Sequence, residues 1–211
     1  MRRATQTPEP LARNAAPERL ELVRQFINTA SLDHDDERLP DPQSLKGWLA
    51  ENGLLGPTGR VTETDRQRSI ELRESLRDIL MFHTVGKVDT GTVKRFDAVV
   101  KKIPMRLRVD DTGWVRVAAA GKGFDGALGE LLERVYEAME DGSWQRMKAC
   151  SDETCRWAFF DHSKNRSGHW CDMASCGNRA KVNAFRQRQA ATHGNVKGTH
   201  KERQVEVTKK A

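Results

Sequence analysis

Apolar positions follow a helical period along most of the chain and change to strict alternation once. Leu20, Val23, Ile27 and Ala30, with Phe26 beside them, share one face of a helix starting near Glu18. The acidic run 33–37 with Pro40 and Pro42 breaks it, and a short helix carrying Leu45, Trp48 and Leu49 is expected before Gly53. Gly56-Pro57-Thr58-Gly59 reads as a loop. The longest periodic stretch runs from about Thr64 to His83, with Thr62 or Thr64 as cap and Leu72, Leu76, Ile79 and Leu80 as its buried stripe. Val93, Phe96, Val99, Val100 and Ile103 mark another helix, stopped by Pro104. The period then becomes two. Met105, Leu107 and Val109, the turn 110–113 and Trp114-Val115-Arg116-Val117 predict a β-hairpin. A last helix of this region, from about Phe124 to Met139, carries Leu128, Leu131, Leu132 and Val135 and closes at Asp141-Gly142.

Together these elements predict an α+β fold: a mostly helical N-terminal domain over 18–142 with one hairpin, then a small C-terminal module over 146–190. Residues 1–17 and 191–211 lack periodicity and are expected to be a disordered lead and a flexible basic tail. Gly121-x-Gly123-x-x-Gly126 has the form of a phosphate-binding turn, but no βαβ unit surrounds it, so it does not predict a nucleotide site. His34 sits in an acidic loop, and His83 falls where it would complement a helix C-terminus. No nucleophile, base and orienter can be assigned in the first 145 residues, so no enzyme is expected. The early arginines are not followed by an apolar secretory stretch, and no apolar run reaches the roughly 20 residues that span a bilayer. A cytoplasmic protein with no membrane partner is the expectation.

Charge changes the picture more than composition does. Hydrophobic residues are 37% and charged residues 31% of the 211, ordinary values, and the net charge is +6. From Arg146 onward there are 14 Lys and Arg against 6 Asp and Glu, a net of +8, which leaves −2 for residues 1–145. A polyanion partner is therefore expected at the C-terminal module.

The same module holds all four cysteines of the chain, as Cys150-x4-Cys155 and Cys171-x4-Cys176. Two close pairs across a loop can surround one tetrahedral Zn²⁺, and in a reducing compartment paired cysteines hold metal more often than they form disulfides. Four thiolates leave His162 and His169 no vacancy. Trp157, Phe159, Phe160 and Trp170 supply a small core that should not stay folded without zinc. Gly177 suits a tight turn after a ligand, and Asn178 can cap a helix over 179–189. On that helix Val182 and Phe185 form an edge expected to be buried against the metal knot. Arg179, Asn183, Arg186 and Gln187 fall on one arc, and these side chains read purine edges. Lys181 and Arg188 share another face and suit phosphates, as do Lys164 and Arg166 in the loop between the pairs.

Cys150-x4-Cys155, Trp157, Phe159-Phe160-Asp161, Ser163-Lys164-Asn165, Trp170-Cys171 and Cys176-Gly177-Asn178-Arg179-Ala180-Lys181 resemble the CGNR-type zinc finger over residues 146–188. Gly168 and His169 stand where some family members carry basic residues. Phe26-Ile27-Asn28-Thr29, the stretch from Pro42 to Trp48-Leu49, and the helix from Asp65 to Leu72-Arg73-Glu74 resemble the ABATE domain that accompanies this finger. The resemblance implies a stress-induced bacterial transcription regulator that binds double-stranded DNA at a promoter. A homodimer would suit a palindromic operator. An RNA-binding module, or a protein-interaction module in which zinc only supports folding, are the alternatives. Exposed aromatics would favour RNA, and buried ones a core.

Overall fold

The computed structural model describes residues 15–86 and 90–190; most of the expected lead, and the expected basic tail 191–211, lie outside the described residues. The described end of the lead is bonded: Ala16 N–H donates to Glu21, the Ala15 carbonyl is 2.8 Å from His162 Nε2, and Pro17 opens the first helix.

Helix α1 (Glu18–Ile27) buries Leu20, Val23, Phe26 and Ile27, as its period requires. A short ladder unforeseen in the sequence follows, β1 (Ala30–Ser31) against β2 (Asp36–Glu37). Helix α2 (Pro42–Glu51) starts on Asp41, whose carboxylate accepts the Ser44 N–H, and its Trp48 ring lies 5.5 Å from that of Phe26. Helix α3 (Glu63–Val85) is capped by Thr62, not Thr64, through a reciprocal box with Asp65. It ends at Gly86, whose φ of 76° is the left-handed conformation that favours glycine. Helix α4 (Thr90–Val100) buries Val99, and Ile103 just beyond it, but leaves Val93 half exposed.

Strands β3 (Met105–Val109) and β4 (Val115–Ala119) form the expected hairpin, with Met105 opposite Ala119 and Val109 opposite Val115. Helix α5 (Gly123–Glu140) follows. A Cβ on Gly121 would stand 2.8 Å from the Gly126 nitrogen, and one on Gly126 2.7 Å from the Gly121 oxygen. These two glycines let the loop close on the helix; that is their structural role. After α5 come a 3₁₀ turn (Trp144–Arg146) and a second unforeseen ladder, β5 (Met147–Ala149) against β6 (Ala158–Phe160). Residues 178–190 form α6.

The fold is α+β and mostly helical. Its core gathers α1, α3 and α5 around Leu20, Leu72, Leu76, Leu128 and Leu131, and the same cluster takes in Met147, Ala149, Ala158 and Phe160. Two compact units divide the chain, residues 1–171 and 172–211. The division thus falls within the cysteine block. Between α1, the hairpin and α5 the first unit carries a charged cleft of about 990 Å³, with Arg106, Arg108, Glu130, Glu133, Arg134 and Glu137 in its walls.

Candidate metal centre

Cys150 follows β5 directly, and Cys155 closes a turn built on Asp152. The Asp152 carboxylate accepts the Thr154 N–H and hydroxyl, while its carbonyl accepts the N–H groups of Cys155 and Arg156. Asp172 plays a similar part after Cys171. Its side chain accepts the N–H groups of Ala174 and Ser175 at 3.1 Å each, and its carbonyl accepts Gly177 N–H. The residues between, Met173–Gly177, form one wide π turn that runs on into α6.

All four thiols are buried, and their Sγ atoms lie within 4.8 Å of one another. Cys155 and Cys171 are 3.6 Å apart. A tetrahedral ion with metal–sulfur bonds of about 2.3 Å holds its sulfurs about 3.8 Å apart. The group therefore has the dimensions and softness of a four-thiolate site. Hydrogen bonds from the Cys155 and Cys171 thiols hold the Cys150 thiol well below the ordinary thiol value. The charge thereby placed on Cys150 pushes Cys155 and Cys171 up. Like charges this close oppose a second thiolate among Cys150, Cys155 and Cys171, and a cation between them would favour it.

Within the first unit, the part of the block up to Cys171 is held through many bonds. Asn28, at the end of α1, accepts the Ala158 N–H and donates to the Ala158 carbonyl, at 2.8 and 2.9 Å. Near the end of α3, Thr84 donates to the Ala149 carbonyl. His83 Nδ1 donates to the Met147 carbonyl at 2.8 Å, and Trp144 packs edge-on to its ring. Burial pushes the His83 pKa below its ordinary value, against the opposing effect of that hydrogen bond. Its role is thus a neutral joint between α3 and β5, a different one from the expected helix-dipole partner.

Arg77, fully buried on α3, donates to the carbonyls of Ile27, Ala30 and Arg156 and pairs with Glu74. Arg156 in turn pairs with Asp78. Lys148 on β5 reaches the loop between the cysteine pairs: it forms a buried pair with Asp161 at 2.8 Å and also donates to the carbonyls of Arg166 and Gly168. Burial tends to raise the Asp161 carboxyl, but Lys148 and the N–H groups of Ser163 and Gly168 outweigh it and hold it well below the usual range. The loop so fixed presents Lys164 and Arg166 to solvent, with Arg166 reaching Gln145 at 3.0 Å. The supporting roles of Asn28, Arg77, Thr84 and Lys148 do not follow from local pattern. Arg77 carries a sign of this in its position, a cation beside Leu76 and Leu80 on the stripe, and Asn28 in its place in the Phe26–Thr29 motif.

Trp157, Phe159 and Phe160 are buried, as a small core requires, and Trp170 is partly so. Three expectations on the second unit need correction. Asn178 is itself helical, and its side chain donates to the Ala174 carbonyl; the capping role falls to Asp172, because the π turn continues into α6 without a break. Gly177 has no left-handed φ; a Cβ there would instead meet Met173 Sδ at 2.8 Å. Val182 and Phe185 are exposed, at 47% and 55%, where a buried edge was expected. The buried aromatics that make the finger core come from 157–160, so that core forms without them. Arg179 donates to Cys176 Sγ at 3.0 Å and so steadies one of the four clustered sulfurs. Lys181, Asn183, Arg186, Gln187 and Arg188 all lie on the exposed surface of α6.

Four clustered cysteines follow a mostly helical α+β region in one chain. Residues 20–142 match the ABATE family, described as "Putative stress-induced transcription regulator", and residues 146–189 match the CGNR zinc finger. The chain belongs to the ABATE family and carries a CGNR finger that includes the four clustered cysteines. No curated protein gives a match.

Proposed function

We propose that the protein is a zinc-dependent, DNA-binding transcription regulator of the cytoplasm, with α6 as its nucleic-acid element. The observation that carries this reading is the exposure of every residue of 181–190 directly beyond a buried four-thiolate group. Zinc suits four soft thiolates in a redox-silent structural role. The ion would bridge Cys150, Cys155, Cys171 and Cys176 and leave no position open for a substrate.

Lys181, Asn183, Arg186 and Gln187 make no side-chain bond among the described residues, so their donors face solvent. Arg179 supports the reading less directly, since its guanidinium serves Cys176. Lys164, Arg166 and Arg188 would add phosphate contacts, and the basic tail a salt-dependent affinity blind to sequence. The N-terminal domain would sense a signal or mediate assembly, and its charged cleft is the natural place for a small ligand. Burial of Trp157, Phe159 and Phe160 speaks against stacking on RNA bases. One observation favours a protein partner instead: the exposed Val182 and Phe185 on α6.

Fluorescence anisotropy with fragments of the protein's own upstream region and shuffled controls, at two salt concentrations, tests the proposal. Preference for one fragment that survives higher salt and is abolished by a chelator is expected. A Lys181→Ala/Arg186→Ala variant should lose that preference at least about tenfold while keeping its metal content and melting temperature. Equal binding to all fragments, vanishing with salt, would leave only a basic surface. Retained binding in a variant with Val182 and Phe185 intact but Lys181 and Arg186 removed would transfer α6 to the protein-partner reading.

A further inference from the structure

The charged cleft between α1, the hairpin and α5 has walls of opposite sign that do not close on each other. Strand β3 contributes Arg106 and Arg108. Helix α5 contributes Glu130, Glu133 and Glu137, whose helical spacing puts them on one face. Ala118 and Ala119, with small side chains, lie in the lining as well. Among the described residues the two walls meet only loosely, where Arg108 stands 4.0 Å from Glu133.

Several of these charges are committed within the protein. Glu133 accepts the Ala119 N–H at 2.9 Å. Arg134 donates to the Glu130 carbonyl at 2.9 Å and stands 3.6 Å from the Glu130 carboxylate. Arg19 pairs with Asp141 at 3.1 Å, which ties the start of α1 to the end of α5. Arg106, Glu137 and Glu18 remain: their side chains line the cleft without a hydrogen-bond or ion-pair partner among the described residues. An uncommitted cation and uncommitted carboxylates thus face one hollow of about 990 Å³ and do not reach each other across it.

We infer that the cleft binds a small zwitterion of amino-acid or short-peptide size, its carboxylate on Arg106 and its ammonium on Glu137. A ligand of one sign alone would meet its own charge on the far wall: an anion faces the carboxylates of α5, a cation the arginines of β3. A bipolar ligand meets opposite charge at both ends. An arginine takes a carboxylate through two parallel N–H bonds, and a carboxylate accepts an ammonium without any such geometric demand. Helix α5 rises about 10 Å from Glu130 to Glu137, the length of roughly three extended residues, which bounds the ligand from above. Such polar walls offer little apolar area, so binding in the micromolar to millimolar range is expected. The inference deepens the sensing role proposed for the N-terminal domain and does not depend on nucleic-acid binding.

Titration calorimetry of the full-length, metal-loaded chain without nucleic acid is the test, with alanine, trialanine, N-acetyl-trialanine and trialanine amide as probes. A free-ended probe is expected to bind, and blocking either end to weaken binding at least about tenfold. Arg106→Gln should take the free acid no better than the amide, and Glu137→Gln the free amine no better than the acetylated form, because each variant removes one pole. Arg106→Lys and Glu137→Asp keep the charges and should keep the preference for free ends, which separates loss of charge from loss of fold. Failure of both free-ended probes to bind at millimolar concentration, equal binding of the blocked forms, or an unaltered end preference in the two neutral variants overturns the inference. A chain that ignores every zwitterion yet selects its DNA fragment would lose the cleft ligand alone; one that binds the zwitterion but no DNA would lose the proposed function alone.

Discussion

Single side chains decide how the metal block is held. Asn28 offers one donor and one acceptor and meets both backbone groups of Ala158, a match that no apolar residue of similar size can make. His83 does comparable work at Met147 in its neutral form, since burial lowers its pKa from the ordinary 6.5. As pH falls below about 6.5, the unfolded chain takes up a proton that the folded His83 refuses, so stability is lost on the acid side. Urea midpoints for wild type should therefore fall between pH 7 and pH 5. His83→Asn, which keeps a donor toward Met147 but does not titrate, should show a flatter pH slope; equal slopes would remove His83 from the acid response. At Arg179 the sequence pattern marks a basic helix position, and only coordinates reveal that its guanidinium reaches the Cys176 sulfur.

Whole elements were legible where local pattern and burial coincide. The α3 stripe of Leu72, Leu76 and Leu80 is fully buried, and the Thr62–Asp65 box sets its start. Arg73 and Arg77 lie within the buried surface of that helix, which an amphipathic reading assigns to apolar side chains. They are tolerated because carbonyls and carboxylates surround them: Arg73 binds Glu37 bidentately, and Arg77 gathers the carbonyls of Ile27, Ala30 and Arg156. Arg77→Met should destabilise the protein by roughly 3–5 kcal/mol, because buried acceptors lose their partner, and denaturant unfolding would measure it. A loss under about 1 kcal/mol would mean that water takes over those carbonyls. The hairpin illustrates the opposite limit. Alternation from Met105 to Val109 located its strands, but a period of two is the same whichever face meets the helix. The structure sets the charged one against α5, with Arg116 3.0 Å from Glu140 and Ala118 buried.

At the scale of the molecule, the first half of the finger belongs to the helical core. Met147, Ala149, Ala158 and Phe160 share one apolar cluster with α1, α3 and α5. Chelation should consequently lower the melting temperature of the helical domain itself. A loss of about 3 kcal/mol would shift it by on the order of ten degrees at this chain length. Helical circular dichroism and tryptophan fluorescence should move together; a helical transition unmoved by chelator would mean that the finger folds by itself. By itself the sequence determined the helices, the hairpin strands, the grouping of four cysteines and the charge asymmetry, because each rests on local spacing or on composition. The tertiary structure decided the ladders β1–β2 and β5–β6, the seat of the cysteine block on α1 and α3, the exposure of Val182 and Phe185, and the outward face of the hairpin. Those features depend on partners tens of residues away, as Asn28 is from Ala158, and no local period records which distant carbonyl or carboxylate a side chain will meet.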